Sequence, residues 1–135
     1  MDLDKALAIS AAGMTAQTIR LRVIAENLAN QDSTGSDPKL DPYRRKIVTF
    51  RSVADRALGA QTVQVGRIGR DQSQFPTRYD PSHPAADANG YVRLPNVNSF
   101  VELMDMRDAQ HSYSANLSVM QTSRAMLSRT IDLLK

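Results

Sequence analysis

All six prolines and five of the six glycines of this 135-residue chain fall between residues 31 and 95. The two residue types that most disrupt a helix are therefore almost absent from both ends. In residues 3–28, positions seven apart read Leu7, Met14, Leu21 and Leu28, and an interleaved set reads Leu3, Ser10, Gln17 and Ile24. That 3–4 spacing is the stripe a coiled-coil seam requires, apolar in one series and polar in the middle of the other. A helix of that length spans about 39 Å. Residues 96–135 repeat the arrangement. Ser99 and Glu102 are spaced as a capping box that starts a helix. The heptad series then read Met106, Tyr113, Met120, Leu127, Leu134 and Leu103, Gln110, Leu117, Arg124, Ile131. Uninterrupted, this second helix reaches about 54 Å. The expected fold class is mainly α, with two long terminal helices packed as an antiparallel coiled-coil-like hairpin around a small β-rich middle insertion. In domain terms, residues 1–30 and 96–135 form a discontinuous helical core, and residues 31–95 form the excursion.

The excursion reads as loop and short strand. Pro38 and Pro42 break any helix in TGSDPKLDP. Arg45–Val53 has β-branched residues at strand density, and Thr62–Ile68 alternates with period two. Asn89-Gly90 is a turn signal. Two to four short strands are expected, too thin to hold a large core alone. Composition agrees with packed helices. Hydrophobic residues make up 41% of the chain, and the only large rings are three Phe and four Tyr, with no Trp. Ala6, Ala8, Ala11, Ala12, Gly13 and Ala16 let a partner helix approach closely. Gly13 costs about 1 kcal/mol of helix stability relative to Ala, so close packing is expected there.

Most chemistries lack their residues. The chain has no cysteine, which excludes disulfides, thiolate catalysis and Cys-based zinc sites. MDLDKALAIS lacks the basic and continuous apolar regions of a signal peptide, and no apolar run has the length of a membrane span. Asp80, His83 and Asp87 match no trusted metal-ligand spacing, and a turn-rich loop is the plainer reading. His111 falls outside the seam. Asp87-Ala88-Asn89-Gly90 lacks the remaining ligands of a calcium loop. There is no G-x-S-x-G turn and no phosphate-cradling glycine loop. Met14, Met104, Met106, Met120 and Met126 read as adaptable packing. No enzyme, cofactor or metal site is expected. The net charge of +3 lies wholly in residues 31–95, with ten basic and seven acidic groups. The basic run Tyr43-Arg44-Arg45-Lys46 leaves one alternative open, a small coiled-coil nucleic-acid-binding protein.

Ser10-Ala11-Ala12-Gly13-Met14, Asn27-Leu28-Ala29-Asn30 and Ser33-Thr34-Gly35 together resemble the N-terminal signature of bacterial flagellar rod and hook proteins. Further stretches point to the proximal rod type: Pro42-Tyr43-Arg44-Arg45-Lys46, Tyr79-Asp80-Pro81-Ser82-His83-Pro84, Asp87-Ala88-Asn89-Gly90-Tyr91-Val92, Pro95-Asn96-Val97-Asn98 and Tyr113-Ser114-Ala115-Asn116. Ser36–Asp41 is an insertion in keeping with that type. The resemblance implies a structural subunit of the basal-body rod, the tubular drive shaft that carries torque across the periplasm. Its implied partners are copies of itself, other proximal and distal rod proteins, the rod-to-MS-ring adaptor and, during secretion without signal cleavage, the type III export apparatus. Nucleic acid and membrane insertion are not among them. Terminal helices would form the inner tube and the middle would face outward.

The residues expected to carry assembly are the seam positions Leu3, Leu7, Met14, Leu21, Ile24, Leu28, Leu103, Met106, Tyr113, Leu117, Met120, Leu127, Ile131 and Leu134. The motif residues Gly13, Asn27, Asn30, Pro42, Tyr43, Arg44, Asn96, Asn98 and Asn116 join them. Polar seam residues Ser10, Gln17, Gln110 and Arg124 would weaken an isolated hairpin, so both ends are expected to order fully only on assembly. Asn30 suits the left-handed position that ends a helix. Asn27 gains nothing as a stop, so its amide is expected to bond to a neighbouring helix and fix register. Asn27→Leu is then expected to spare the free chain and harm assembly.

Overall fold

The computed structural model describes residues 3–134. Two helices, α1 (Leu3–Ala29) and α2 (Ser99–Leu133), enclose four strands: β1 (Lys46–Asp55), β2 (Ala60–Arg70), β3 (Thr77–Tyr79) and β4 (Tyr91–Arg93). The strands form two separate two-stranded sheets, β1-β2 and β3-β4. Two terminal helices with a small two-sheet β middle are observed, although β1 and β2 run longer than the short strands expected. No helix among the described residues is long and apolar enough to cross a membrane.

Both helix ends differ from their sequence signals by local chemistry. Asn98, not Ser99, caps α2: its Oδ1 accepts the amides of Phe100 at 3.0 Å and Val101 at 3.3 Å, as an N-cap side chain should. Ser99 Oγ instead donates to Gln31 Oε1, and Glu102 does not fold back to complete a capping box. At the end of α1, Asn30 is not left-handed, since no described residue other than glycine has a positive φ. Its amide group reaches back instead, Nδ2 donating to the Glu26 carbonyl at 2.8 Å. The helix ends in tightened i→i−3 bonds, from the Asn30 N–H to the Asn27 carbonyl and from the Gln31 N–H to the Leu28 carbonyl, with the Asn30 side chain as a second donor to Glu26.

The turns follow the glycines. Asp55 Oδ1 accepts from the amides of Ala57 and Leu58, and Gly59 at φ 59° closes the β1-β2 hairpin. The β3-β4 register pairs Thr77 with Arg93, Arg78 with Val92 and Tyr79 with Tyr91. The two tyrosine rings meet edge-on at 5.3 Å. Gly90, at φ 82°, turns beneath them, and a Cβ there would lie 2.9 Å from the Tyr79 ring.

Backbone contacts divide the chain into two compact units. The first gathers the residues up to Leu21, Thr49–Arg67 and the chain from Met106 onward. Its interior is small and partly polar: Ser10, Gly13, Ala16, Thr62, Ala109 and Ser123 are buried. A Cβ on Gly13 would stand 2.8 Å from Asn116 Nδ2, so a larger residue there has to displace the Asn116 amide. The expectation of close packing at Gly13 is met by a polar side chain. The second unit gathers Arg22–Val48 and Ile68–Asp105, with Val23, Ile24, Asn27, Pro42, Ala85, Val92, Pro95 and Glu102 buried.

Gly13→Ala tests this approach. Alanine gains about 1 kcal/mol in helix propensity, but crowding Asn116 costs about 1–3 kcal/mol. The single variant is expected to lower the thermal midpoint. In an Asn116→Ala background the same substitution should raise it, and calorimetry of the four proteins reads the coupling.

Candidate functional site

Asn27 sits at the end of α1 with only 1% of its surface exposed. All of its polar capacity is used. Oδ1 accepts from the Tyr43 hydroxyl and from the Lys46 amide, both at 2.9 Å. Nδ2 donates to the Lys46 carbonyl at 2.9 Å and to Glu102 Oε2 at 3.1 Å. One side chain thus ties the end of α1 to the start of β1 and to the first turn of α2. The expected bond to a neighbouring helix is present, in the contact with Glu102 of α2, a helix of its own chain.

Glu102 is completely buried. Its second oxygen takes the Arg45 Nε–H in a short contact, and Arg45 Nη2 reaches Asp105 at 3.2 Å. Arg45 Nη1 lies 3.6 Å from Asp71 Oδ2. Burial works against the guanidinium charge, yet the hydrogen bond and charge of Glu102, then Asp105 and Asp71, outweigh it and hold the pKa above its ordinary value. Asn96 extends the network. Its Oδ1 accepts the Arg45 amide at 2.7 Å, and its Nδ2 donates to the Asp71 carbonyl at 3.1 Å and to Ser73 Oγ at 3.0 Å. Ser73 in turn gives its backbone N–H to Asp71 at 2.8 Å. That bond first, and the charge of Arg45 after it, lowers the Asp71 pKa.

The rest of the basic run is engaged nearby. Lys46 Nζ meets Glu26 at 2.7 Å, which raises the lysine pKa and lowers that of the carboxylate. Arg44 lies over the Phe75 ring at 4.2 Å and donates to the Asp71 carbonyl. Arg93 flanks the same ring at 5.8 Å. Its guanidinium grips the Ser36–Asp41 insertion through Asp41 at 2.8 Å and the carbonyls of Pro38 and Leu40. Pro42 is buried beside these groups. His83 is likewise occupied: Nδ1 accepts the Ala85 amide at 3.0 Å, and Nε2 stands 3.2 Å from Thr34 Oγ1. A single-stranded nucleic-acid site pairs a basic groove with aromatic platforms; here Arg45 is committed to three carboxylates of its own chain, and Phe75 is taken by Arg44.

The seam positions divide. Ile24 is buried, and Leu3, Leu7, Met14, Leu21, Leu28, Met106, Tyr113, Met120 and Leu127 are half-buried. Leu103, Leu117, Ile131 and Leu134 are exposed. On α2 the chain itself covers Glu102, Ala109 and Ser123, with Asn116 half-buried between them. These are also seven apart, but one residue ahead of the expected second series. Asn98 and Asn116 are bound locally, Asn98 as the cap and Asn116 Nδ2 to the Ser112 carbonyl at 3.0 Å. Within the first unit Arg20 pairs with Asp108 at 2.9 Å. Arg45, Asp71, Arg93 and Glu102 were not foreseen as a connected set, and nothing in their spacing marks them.

The family model "Flagellar basal body rod FlgEFG protein C-terminal" matches residues 88–133, which include the whole of α2. The flagellar basal-body rod protein FlgC of Agrobacterium fabrum is 49% identical over 98% of this chain and 96% of its own length. Those of Aquifex aeolicus and Salmonella typhimurium are 39% and 42% identical, over 98% and 93% of this chain and 97% and 92% of their own lengths. The chain belongs to the FlgC family of flagellar basal-body rod proteins. In this FlgC-family chain the signature residue Asn27 and the signature run Tyr43–Lys46 are partners in one buried network.

Two outcomes follow. Asn27→Leu strands the Tyr43 hydroxyl, both backbone groups of Lys46 and a Glu102 oxygen, and is expected to cost about 3 kcal/mol. Chemical denaturation of the isolated chain should show that loss, opposite to the expectation from sequence. Stability should also depend on pH at both ends. Glu26 and Asp71 have lowered folded pKa values, so their contribution is present above the ordinary carboxylate range and lost as pH falls through the folded values. Lys46 has a raised value, so its share is lost as pH rises past the ordinary lysine range. Melting curves of Asp71→Asn and of Lys46→Met should flatten the acid and the alkaline limb respectively.

Proposed function

We propose that the chain is a non-catalytic structural subunit of the flagellar basal-body rod. In this reading it polymerises with itself and with other rod proteins into the periplasm-spanning shaft that transmits torque. The observation that carries the proposal is the pairing of FlgC-family membership with the exposed apolar residues along α2: Phe100 at 72%, Leu103 at 55%, Leu117, Val119, Met126, Ile131 and Leu134. A subunit meant to stay alone would hide such residues. A tubular assembly covers them with neighbours through contacts that propagate without closing.

Residues 1–30 and 96–135 act as the axial core, an antiparallel hairpin of α1 and α2, and residues 31–95 form the outward excursion. Gly13 against Asn116 and Arg20 against Asp108 support the hairpin, because later positions in α1 meet earlier ones in α2. Seam residues Leu3, Leu7, Met14, Leu21, Ile24, Leu28, Met106, Tyr113, Met120 and Leu127 hold it. Leu103, Leu117, Ile131 and Leu134 reach neighbouring subunits. Proximal and distal rod proteins and the rod-to-MS-ring adaptor are the partners of the finished structure. The chain reaches it through the type III export apparatus without a cleaved signal. Both ends gain order on assembly, because the intrachain seam buries few large side chains.

Leu117→Asp places a charge on the outer stripe, and Leu21→Asp places one at the half-buried seam. Leu117→Asp is expected to abolish swimming while expression and the melting of the purified chain stay unchanged; normal motility would refute the assignment of the outer stripe. Leu21→Asp should abolish swimming and lower the melting midpoint. Circular dichroism of the dilute chain is expected to show less helix than the 62 residues of α1 and α2 together, counting 27 and 35.

A further inference from the structure

A concavity of about 300 Å³ opens beside the buried network, lined by Asp41, Pro42, Tyr43, Arg44, Lys46 and Arg70. Three of these six side chains are cations. Asp41, the one acid among them, is neutralised by Arg93 at 2.8 Å. Lys46 gives one of its three Nζ–H donors to Glu26. Arg44 uses only Nη1, on the carbonyls of Asp71 and Ser73. Arg70 is exposed and makes no side-chain hydrogen bond or ion pair with another described residue. It shares the wall of the concavity with Arg44 and Lys46, so three like charges line one surface. Convergent cations in a concave wall are an electrostatic cost that an anion between them relieves.

We infer that this pocket is a binding site for a single oxyanion group, a carboxylate or a phosphate, held by Arg70, Arg44 and Lys46. Arg70 supplies the planar fork that suits either group. The site lies within one unit of the chain and does not depend on the rod reading. Its ligand is a free phosphate or a carboxylate side chain of another protein.

The test uses the full chain and its amide resonances in heteronuclear NMR. Inorganic phosphate and a tri-glutamate peptide are titrated separately, against sodium chloride at matched ionic strength. At least one of the two should shift the amides of Arg44, Lys46 and Arg70 saturably, and chloride should not. Arg70→Gln should weaken that binding about tenfold. Arg70→Lys, which keeps the charge and loses the fork, should weaken it less than Arg70→Gln does, and Arg51→Gln, on the same hairpin, should change nothing. Tighter binding of tri-glutamate assigns the site to a protein carboxylate, and tighter binding of phosphate assigns it to a free oxyanion. Linear, unsaturated shifts with both probes overturn the inference. So does equal weakening by Arg70→Gln and Arg51→Gln, which means diffuse screening.

Discussion

A carboxylate with no exposed surface organises the second unit. Taking such a group out of water costs several kcal/mol unless it is paired and hydrogen-bonded. Glu102 meets that demand through Arg45 on one oxygen and Asn27 on the other. Each partner then brings its own requirements. Arg45 is itself partly buried and needs Asp105 and Asp71 as well. Asn27 has a second end, filled by Tyr43 and Lys46. Because every member depends on another, few alternative arrangements satisfy them all. The worth of such a network lies more in fixing one arrangement than in net stability, since a buried ion pair repays little of its desolvation.

This is also why a chain with so few large rings holds its middle segment in place. β3 and β4 have three residues each, and a two-stranded hairpin is marginal on its own. The sites where the excursion is fastened are polar. Asn96 bonds the Arg45 amide and the Asp71–Ser73 turn, Arg93 holds the Ser36–Asp41 insertion, and Phe75 contacts the guanidiniums of Arg44 and Arg93. Hydrogen bonds and cation–π contacts take over what buried aromatic area does in a larger core.

The helices were legible in the sequence because proline and glycine distribution and heptad spacing are local signals. The β1 and β2 positions were legible for the same reason. Helix ends were read less well. The choice between Asn98 and Ser99 as cap turns on one residue, and both are good caps. Asn30 had two ways of ending α1, by backbone or by side chain, and composition favours neither. The network was out of reach. Arg45 and Glu102 are 57 residues apart and Asn27 and Glu102 are 75 apart, and no periodicity connects them. Glu102 carried a plausible local role in a capping box, and that reading concealed its distant one.

The seam offset has the largest consequence for how α2 is used. Residues 102, 109, 116 and 123 face the chain's own interior, where sequence pattern favours 103, 110, 117 and 124. A shift of one residue turns a helix face by about 100°. That turn brings Glu, Ala, Asn and Ser inward and carries Leu103 and Leu117 out. Small and polar side chains bury little apolar area, about 25 cal/mol being gained per Å², so this seam positions the helix more than it drives folding. Half of the hydrophobic stripe that sequence pattern reads as the inside of a hairpin on α2 is surface, Leu103, Leu117, Ile131 and Leu134, while Met106, Tyr113, Met120 and Leu127 stay half-buried. A helix built this way is left incomplete by its own chain, which leaves the apolar residues Leu103, Leu117, Ile131 and Leu134 exposed.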